Sequence, residues 1–209
     1  PGGAKDANEL LLSDRAALAR ALAESAGAEQ AAYAAESAAR SLEALLDASL
    51  RRASRRACPT GFAALDDALD GGLYAGLYII GAISSLGKTS FVLQIADYIA
   101  AHETDVLFFS LEMSKFELMA KSLSRLTYQL DAPAGHMRAF TARQVLRVDP
   151  DMPLEKSMLL NEALGEYRTA AEGLFIWEGL ADIGAREIRE RVQKHIQIRG
   201  CKPGVVIDY

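Results

Sequence analysis

Residues 77–90 constrain the fold more strongly than any other part of this 209-residue chain. The stretch begins with the apolar run 77–80, continues through a loop of small residues and reaches Gly87-Lys88-Thr89, where a helical pattern begins. A strand that enters a helix through such a loop gathers backbone N–H groups and the positive end of the helix around one point, which is a geometry that binds phosphate. The sequence therefore predicts a strand at 77–80, a phosphate-binding loop and a helix from Lys88.

The loop departs from the pattern GxxxxGK[ST] at one position. Counting back from Gly87 places Ala82 where the first glycine belongs, with Gly81 one residue too early. Alanine is tolerated there if the backbone needs no positive φ. In this pattern the lysine neutralises the β- and γ-phosphate oxygens and the hydroxyl holds Mg²⁺, so Lys88 and Thr89 are the candidates for these roles. The other candidates for phosphate binding are Ser84, Ser85, Leu86, Gly87 and Ser90. The alternative is a Gly-Lys-Thr sequence that starts a helix by chance.

Beyond Cys58 the chain alternates between short apolar runs and helical patterns, which is typical of an α/β fold with a parallel sheet covered on both faces. The runs at 106–109, 174–177 and 205–207 predict three further strands, and the helices are expected at 88–101, 115–130, 154–171 and 185–199, with a short one around 141–148. In the second of these helices a capping box starts at Ser114. Its apolar stripe is predicted to lie in the core and consists of Phe116, Met119, Leu123, Leu126 and Leu130.

Two carboxylates follow predicted strands and are candidates for the chemistry of a nucleotide site. Asp208 ends the run 205–207, where a carboxylate at the C-terminal edge of a parallel sheet can reach a metal ion held by Thr89. Glu112 follows the run 106–109 and could polarise an attacking water. The alternatives are a turn residue for Asp208 and a surface carboxylate for Glu112.

Residues 13–57 are rich in Ala, Leu, Glu and Arg and contain no proline, which predicts two helices. Ser13-Asp14 can cap the first and Gly27 can end it, so the second is expected to run over 28–57. Its leucines, Leu42, Leu45, Leu46 and Leu50, offer little core. The basic cluster 51–56 either complements the helix dipole or contacts a phosphate backbone.

Composition excludes several classes of protein. A formal charge of −5 gives no chain-wide basic surface for nucleic acid. Cys58 and Cys201 stand far apart with no metal-binding spacing, and the three histidines, His102, His136 and His195, are isolated, so neither a zinc site nor a disulfide framework is predicted. These features indicate a cytoplasmic protein. No apolar run approaches the roughly 20 residues that span a bilayer. A chain that lacks an initial Met and stops at Tyr209 is expected to be part of a longer protein.

Taken together, these motifs resemble the RecA-like motor domain of DnaB-type replicative helicases over about residues 58–209. The residues that carry the resemblance are Thr60-Gly61-Phe62 with Leu65-Asp66, Gly71-Gly72-Leu73 with Gly76, the loop from Ala82 to Thr89, Phe108-Phe109-Ser110-Leu111-Glu112-Met113-Ser114, and Val206-Ile207-Asp208-Tyr209. The Ser-Leu-Glu-Met-Ser sequence distinguishes this family from other RecA-like ATPases, and alanine at position 82 is usual in it.

The resemblance implies a RecA-like P-loop NTPase with a mainly parallel sheet, which ends here at the metal-binding (Walker B) strand and is preceded by a helical linker. It implies ATP and Mg²⁺ as ligands, Glu112 as the catalytic base with Lys88, and Thr89 and Asp208 at the metal. It also implies single-stranded DNA as a partner and a homo-oligomeric, hexameric ring. The arginine supplied by a neighbouring subunit and the DNA-contacting loops would follow Tyr209.

A second, shorter resemblance lies upstream. Lys5-Asp6-Ala7-Asn8-Glu9-Leu10-Leu11 is similar to the end of the TOPRIM catalytic domain of DnaG-like primases. It implies a fused primase-helicase of the phage or prophage kind, with a primase domain in cis. The expected layout is the end of a TOPRIM-like domain at 1–27, a helical linker at 28–57 and the helicase ATPase domain at 58–209.

Two other functions remain open from the sequence. A RecA- or RadA-like recombination ATPase shares the Gly-Gly-Leu sequence, the phosphate loop and the strand order, although Ser110-Leu111-Glu112-Met113-Ser114 argues against it. The other alternative is a nucleotide-binding and oligomerisation module without turnover, in which the leucines of the linker helix dock on an adjacent protomer.

Overall fold

The computed structural model of the chain describes residues 7–53, 56–179 and 183–209. The chain divides into two compact units, residues 1–55 and 56–209, and each is described by itself. Among the described residues, no helix combines the length and the apolar character needed to cross a lipid bilayer.

The first unit is helical and differs from the predicted pair of helices. It contains α1 (Ala7–Ser13), α2 (Arg15–Ala35), a 3₁₀ turn (Ala38–Ser41) and α3 (Leu42–Ala53). Asp14 caps α2 as predicted, since its Oδ1 accepts the Ala17 N–H at 2.9 Å. The prediction that Gly27 ends this helix is wrong, because α2 continues through it. A glycine inside a helix costs about 1 kcal/mol, which its good helix-forming neighbours outweigh. The expected helix over 28–57 is instead interrupted between Ala35 and Leu42.

The second unit is built on a parallel sheet of three strands in the order β2-β1-β3. The strands are β1 (Val106–Ser110), β2 (Leu174–Glu178) and β3 (Gly204–Asp208), as the apolar runs predicted. Ser110 stands opposite Glu178 on one neighbour and Asp208 on the other. The C-terminal ends of all three strands therefore meet at one edge of the sheet.

The helices of this unit agree closely with the sequence pattern. They are α4 (Ala63–Ala68), α5 (Lys88–His102), α6 (Lys115–Leu130), α7 (Ala142–Leu146), α8 (Leu154–Gly173) and α9 (Ala185–Arg199). The predicted capping box is present, since Ser114 accepts the backbone N–H of Glu117 and the Glu117 carboxylate accepts the backbone N–H of Ser114. A second capping box joins Thr141 and Gln144 at the start of α7.

The core lies between the sheet and the helices. Phe108, Leu93 and Leu118 are buried in one cluster, and Leu123 and Tyr167 in another between α6 and α8. The prediction that Phe116 belongs to the core stripe of α6 is wrong, because its side chain is 70% exposed. The buried face of α6 instead passes through Leu118, Ser122 and Leu123, whereas Met119, Leu126 and Leu130 pack partly buried at its margin.

The segment before the predicted phosphate loop is anchored to α4 and α5. Thr60 is fully buried, and its N–H and hydroxyl both donate to Asp66 Oδ1, at 2.8 and 2.7 Å. Gly61 adopts a φ of 82°, and a Cβ at this position would lie 2.6 Å from the Tyr98 ring. The Phe62 ring packs against Phe91 at 4.9 Å. These motif residues therefore fix the approach of the chain to α5.

The predicted strand at 77–80 is not formed. Leu77 and Ile79 are 87% and 84% exposed, and β3 has no second strand partner among the described residues. The hydroxyl of Tyr78 instead accepts the backbone N–H of Tyr74 at 2.8 Å. An apolar run identifies a segment that is able to form a β-strand. Whether it does so depends on hydrogen bonding to a strand elsewhere in the chain, which the run alone does not determine.

Candidate nucleotide-binding site

The start of α5 presents unpaired backbone N–H groups. Gly87 is the N-cap with a φ of 93°, in the left-handed region that favours glycine. No described residue accepts a hydrogen bond from the backbone N–H groups of Gly87, Lys88, Thr89 or Ser90. These four donors lie at the positive end of the helix dipole. The start of α5 therefore fits a phosphate group, which is negatively charged and accepts hydrogen bonds.

The alanine at the first-glycine position is compatible with this loop. Ala82 keeps a negative φ, since the non-glycine residues with positive φ among the described residues are Asp70, Ser85 and His136. The conformation that would require glycine therefore occurs at Gly87 and not at Ala82. The left-handed Ser85, with a φ of 65°, lies between them in the loop.

The structure brings Thr89 and Asp208 into direct contact, although 119 residues separate them in sequence. The Thr89 hydroxyl donates to Asp208 Oδ2 at 2.8 Å, and Asp208 is buried at the end of β3. Lys88 Nζ lies 4.0 Å from the other oxygen of the same carboxylate. It also donates to the backbone carbonyl of Tyr209 and lies over the Tyr209 ring. A hydroxyl and a carboxylate are hard oxygen ligands of the kind that Mg²⁺ prefers, so the pair fits this ion.

Glu112 lies in the loop that follows β1, at the same edge of the sheet. The loop is closed by Ser110, whose hydroxyl donates to the Met113 carbonyl at 2.7 Å and accepts the Met113 N–H at 3.1 Å. The Leu111 N–H donates to the backbone carbonyl of Asp208 at 2.9 Å, which ties the loop to β3. The Glu112 side chain is exposed and has no partner among the described residues. This carboxylate is therefore free to meet a ligand at the sheet edge.

A third strand end, that of β2, carries a carboxylate at the same edge of the sheet. Glu178, the last residue of β2, accepts the backbone N–H of Lys115 and so holds the start of α6. The next residue, Gly179, donates its N–H to the Ser110 carbonyl at 2.7 Å. A carboxylate at a strand end was the signal that selected Asp208 and Glu112, and the same signal could have found Glu178.

The backbone and the side chain of Ser90 face different parts of the protein. Its backbone N–H belongs to the start of α5, but its side chain accepts a hydrogen bond from Lys121 and lines a cleft of about 540 Å³ between α5 and α6. Beside this cleft, buried Asp97 accepts hydrogen bonds from Ser122 at 2.6 Å and Arg125 at 2.9 Å. Burial raises the pKa of Asp97, and its Oδ1 has no hydrogen-bond partner. The other predicted phosphate-binding residues do not line this cleft.

Comparison with known protein families adds an independent observation. Residues 57–209 match the DnaB-like helicase C-terminal domain, and this match covers more than half of the chain. The chain belongs to this family. The parallel sheet and the strand ends described above are accordingly those of a RecA-like α/β helicase domain. No curated protein matches the chain.

The helicase domain contains every predicted site residue, from Ser84 to Asp208, within the matched range. Membership of the family supports a replicative helicase type of function, and DnaB-like helicases bind single-stranded DNA and form hexamers. The upstream resemblance to a primase remains a prediction. Of its residues, Lys5 and Asp6 lie outside the described part of the chain, and Ala7 to Leu11 lie in α1.

Proposed function

We propose that this chain forms the nucleotide-binding part of a helicase motor that couples ATP hydrolysis to movement along single-stranded DNA and to duplex unwinding. The observation that carries the proposal is the contact between Thr89 and Asp208, because it joins the phosphate loop to a buried strand-end carboxylate. A polar residue at the start of a helix is common and does not by itself indicate a function. A hydroxyl at a helix start that contacts a carboxylate at a strand end is the arrangement that holds a metal ion beside bound phosphates.

In the proposed mechanism, the backbone N–H groups from Ser84 to Ser90 hold the phosphates of ATP, once that of Leu86 leaves the Ile83 carbonyl, to which it donates at 3.3 Å. The Lys88 ammonium leaves the Tyr209 carbonyl and binds the β- and γ-phosphate oxygens. Mg²⁺, held by Thr89 and Asp208, would supply positive charge to the same oxygens. Glu112 orients a water molecule and accepts its proton as the water attacks the γ-phosphorus.

The attachment of the loop that carries Glu112 supports its proposed role. The start of this loop is tied to both neighbouring strand ends, because the Leu111 N–H donates to the Asp208 carbonyl and the Ser110 carbonyl accepts the Gly179 N–H. The proposed base therefore follows directly from a segment fixed beside the metal-binding carboxylate. Orientation of a reacting water by a fixed carboxylate lowers the entropic part of the barrier. An arginine from a neighbouring protomer in a hexameric ring would stabilise the charge on the transferred phosphoryl group.

The family match favours a helicase over a recombination ATPase. We further propose the layout given by the sequence, with a primase-like end at 1–27, a linker at 28–57 and the motor at 58–209. In a fused protein of this kind the primase would act in cis on the same DNA. Primer synthesis by the full-length protein, together with unwinding, would support the fusion, and a protein that unwinds but makes no primers would contradict it.

ATP hydrolysis by the full-length protein tests the proposed function. Lys88→Ala removes a charge that acts on the transferred phosphoryl group, and we expect DNA-stimulated kcat to fall about 10²–10³-fold. Lys194→Ala is the matched control, because this exposed lysine lies on α9, away from the loop. An unchanged kcat in Lys88→Ala would contradict the assignment. Tight nucleotide binding without any hydrolysis by the wild type would instead support the module without turnover.

A further inference from the structure

Three potential metal ligands meet at the edge of the sheet opposite the nucleotide site. Asp105 directly precedes β1, His195 lies on α9, and Cys201 follows the end of α9. The strands rise about 3.3 Å per residue, so the five steps from Asp105 to Ser110 separate this cluster from the phosphate edge by about 16 Å. The cluster is therefore distinct from the proposed ATP site and does not depend on its assignment.

The three side chains converge on one point. The ligand atoms His195 Nε2 and Asp105 Oδ2 are 3.2 Å apart, Cys201 Sγ and Asp105 Oδ2 are 3.6 Å apart, and Cys201 Sγ and His195 Nε2 are 3.8 Å apart. A tetrahedral zinc ion with ordinary bond lengths to N, O and S sets the same three separations at about 3.3, 3.6 and 3.6 Å. One ion can thus bond all three atoms with shifts of about 0.2 Å.

The backbone holds these residues in place. The Gly204 N–H donates to the Asp105 carbonyl at 2.9 Å, and the Thr104 hydroxyl donates to the Lys202 carbonyl at 3.1 Å. Gly200 ends α9 with a φ of 71°, which turns Cys201 back towards the helix. The cluster is consequently part of the packing between β1, β3 and α9 and not a chance meeting of mobile surface side chains.

The surroundings suit a borderline metal ion. The side chains of His195 and Asp105 are only 5% and 11% exposed, and the rings of His195 and Phe175 meet in a T-shaped arrangement with their centroids 5.0 Å apart. Arg199 donates to both oxygens of Asp105, at 2.8 and 3.3 Å. A ligand carboxylate that is oriented by a further hydrogen-bonding group is typical of metal sites. Cys201 is partly exposed, which leaves room for water as a fourth ligand.

We propose that Asp105, His195 and Cys201 form a binding site for Zn²⁺ that fastens α9 to the start of the sheet. Without the ion, the imidazole N–H and the thiol can both donate to Asp105 Oδ2. When the ion binds, the thiol releases its proton to the solvent and the imidazole carries its proton on Nδ1, which leaves Sγ, Nε2 and Oδ2 to bond the metal. A thiolate and an imidazole select Zn²⁺ or Co²⁺ over Mg²⁺, so the two sites would take different ions.

Cobalt titration of the reduced, nucleotide-free, full-length protein tests this site. We expect one equivalent of Co²⁺ to produce a thiolate-to-cobalt charge-transfer band that Zn²⁺ abolishes and excess Mg²⁺ does not. Cobalt bound to the oxygen ligands of the nucleotide site gives no such band, so the signal reports only on a cysteine. Cys201→Ser should remove the band, whereas Cys58→Ser, which changes the other cysteine, should retain it.

Asp105→Asn provides a second test that retains Cys201. Loss of this ligand should weaken Co²⁺ binding by at least about tenfold. Far-ultraviolet circular dichroism shows whether each variant is folded. The proposal is overturned by a wild type without a charge-transfer band at stoichiometric cobalt, by a band of full strength in folded Cys201→Ser, or by unchanged affinity in folded Asp105→Asn.

Discussion

The hydroxyl of Ser110 is expected to hold the loop that carries Glu112. The loss of stability that follows its removal can be worked out from its hydrogen bonds. Ser110 is buried at the end of β1 and makes two hydrogen bonds to the backbone of Met113. Each such bond contributes about 0.5–1.5 kcal/mol. Ser110→Ala should therefore lower the free energy of unfolding by about 1–3 kcal/mol. Equilibrium unfolding in urea measures this change through the shift of the midpoint.

Ser124→Ala is the matched control for this variant. The Ser124 hydroxyl makes one hydrogen bond to a backbone carbonyl, that of Phe140 at 2.7 Å, so its removal should cost about half as much. If the loop positions the proposed base, Ser110→Ala also lowers kcat for ATP while the KM changes little, and Ser124→Ala leaves kcat unchanged. A Ser110→Ala protein as stable as the wild type would refute the reasoning, because it would mean that the loop does not depend on this hydroxyl.

Two further predictions concern stability. Gly173→Ala should destabilise the protein by about 1–3 kcal/mol, since the added Cβ would lie 2.5 Å from the backbone carbonyl oxygen of Ala100, which cannot move aside as a side chain can. Gly27→Ala should stabilise α2 by about 0.5–1 kcal/mol, because no atom lies within 4 Å of the added Cβ. Thermal melting of both variants checks this pair, and an unchanged melting temperature in Gly173→Ala would contradict the first prediction. Hydrogen bonds from the Ser114 backbone and hydroxyl hold the pKa of Glu117 below its ordinary value. The ionised Glu117 side chain therefore stabilises the start of α6 at any pH above the ordinary pKa. This contribution is lost as the pH falls through the lowered pKa of the folded state. Glu117→Gln should consequently reduce the acid dependence of the melting temperature below about pH 4.5, and a wild-type acid profile in this variant would contradict the argument.

Local signals explain what the sequence could predict. The α6 helix begins at its predicted residue because the capping box between Ser114 and Glu117 is contained in four consecutive residues. The start of α5 directly after Gly87 followed from the glycine and the helical pattern behind it, and the edge that brings Asp208 to Thr89 followed from the rule that parallel strands end together. These inferences needed short windows of sequence and one general rule about parallel sheets.

Interactions between distant segments explain the rest. The run 77–80 has the composition of a strand, but composition does not supply a partner, and Leu77 and Ile79 remain exposed. Phe116 fits the helical period as well as Leu118 does, and only packing against the sheet decides which of them is buried. His195 is isolated in the sequence because Asp105 lies 90 residues upstream. The two side chains meet only when α9 packs beside the start of β1.

Nucleotide binding with and without Mg²⁺ tests the central claim most directly. The account assigns Thr89 and Asp208 to the metal and the backbone of the loop to the phosphates, so binding of a fluorescent ATP analogue to the full-length protein should tighten when Mg²⁺ is added. In Asp208→Asn this dependence on Mg²⁺ should disappear while metal-free binding is retained, and Asp151→Asn, on an exposed turn, should behave like the wild type. Full Mg²⁺ dependence in Asp208→Asn would contradict the account.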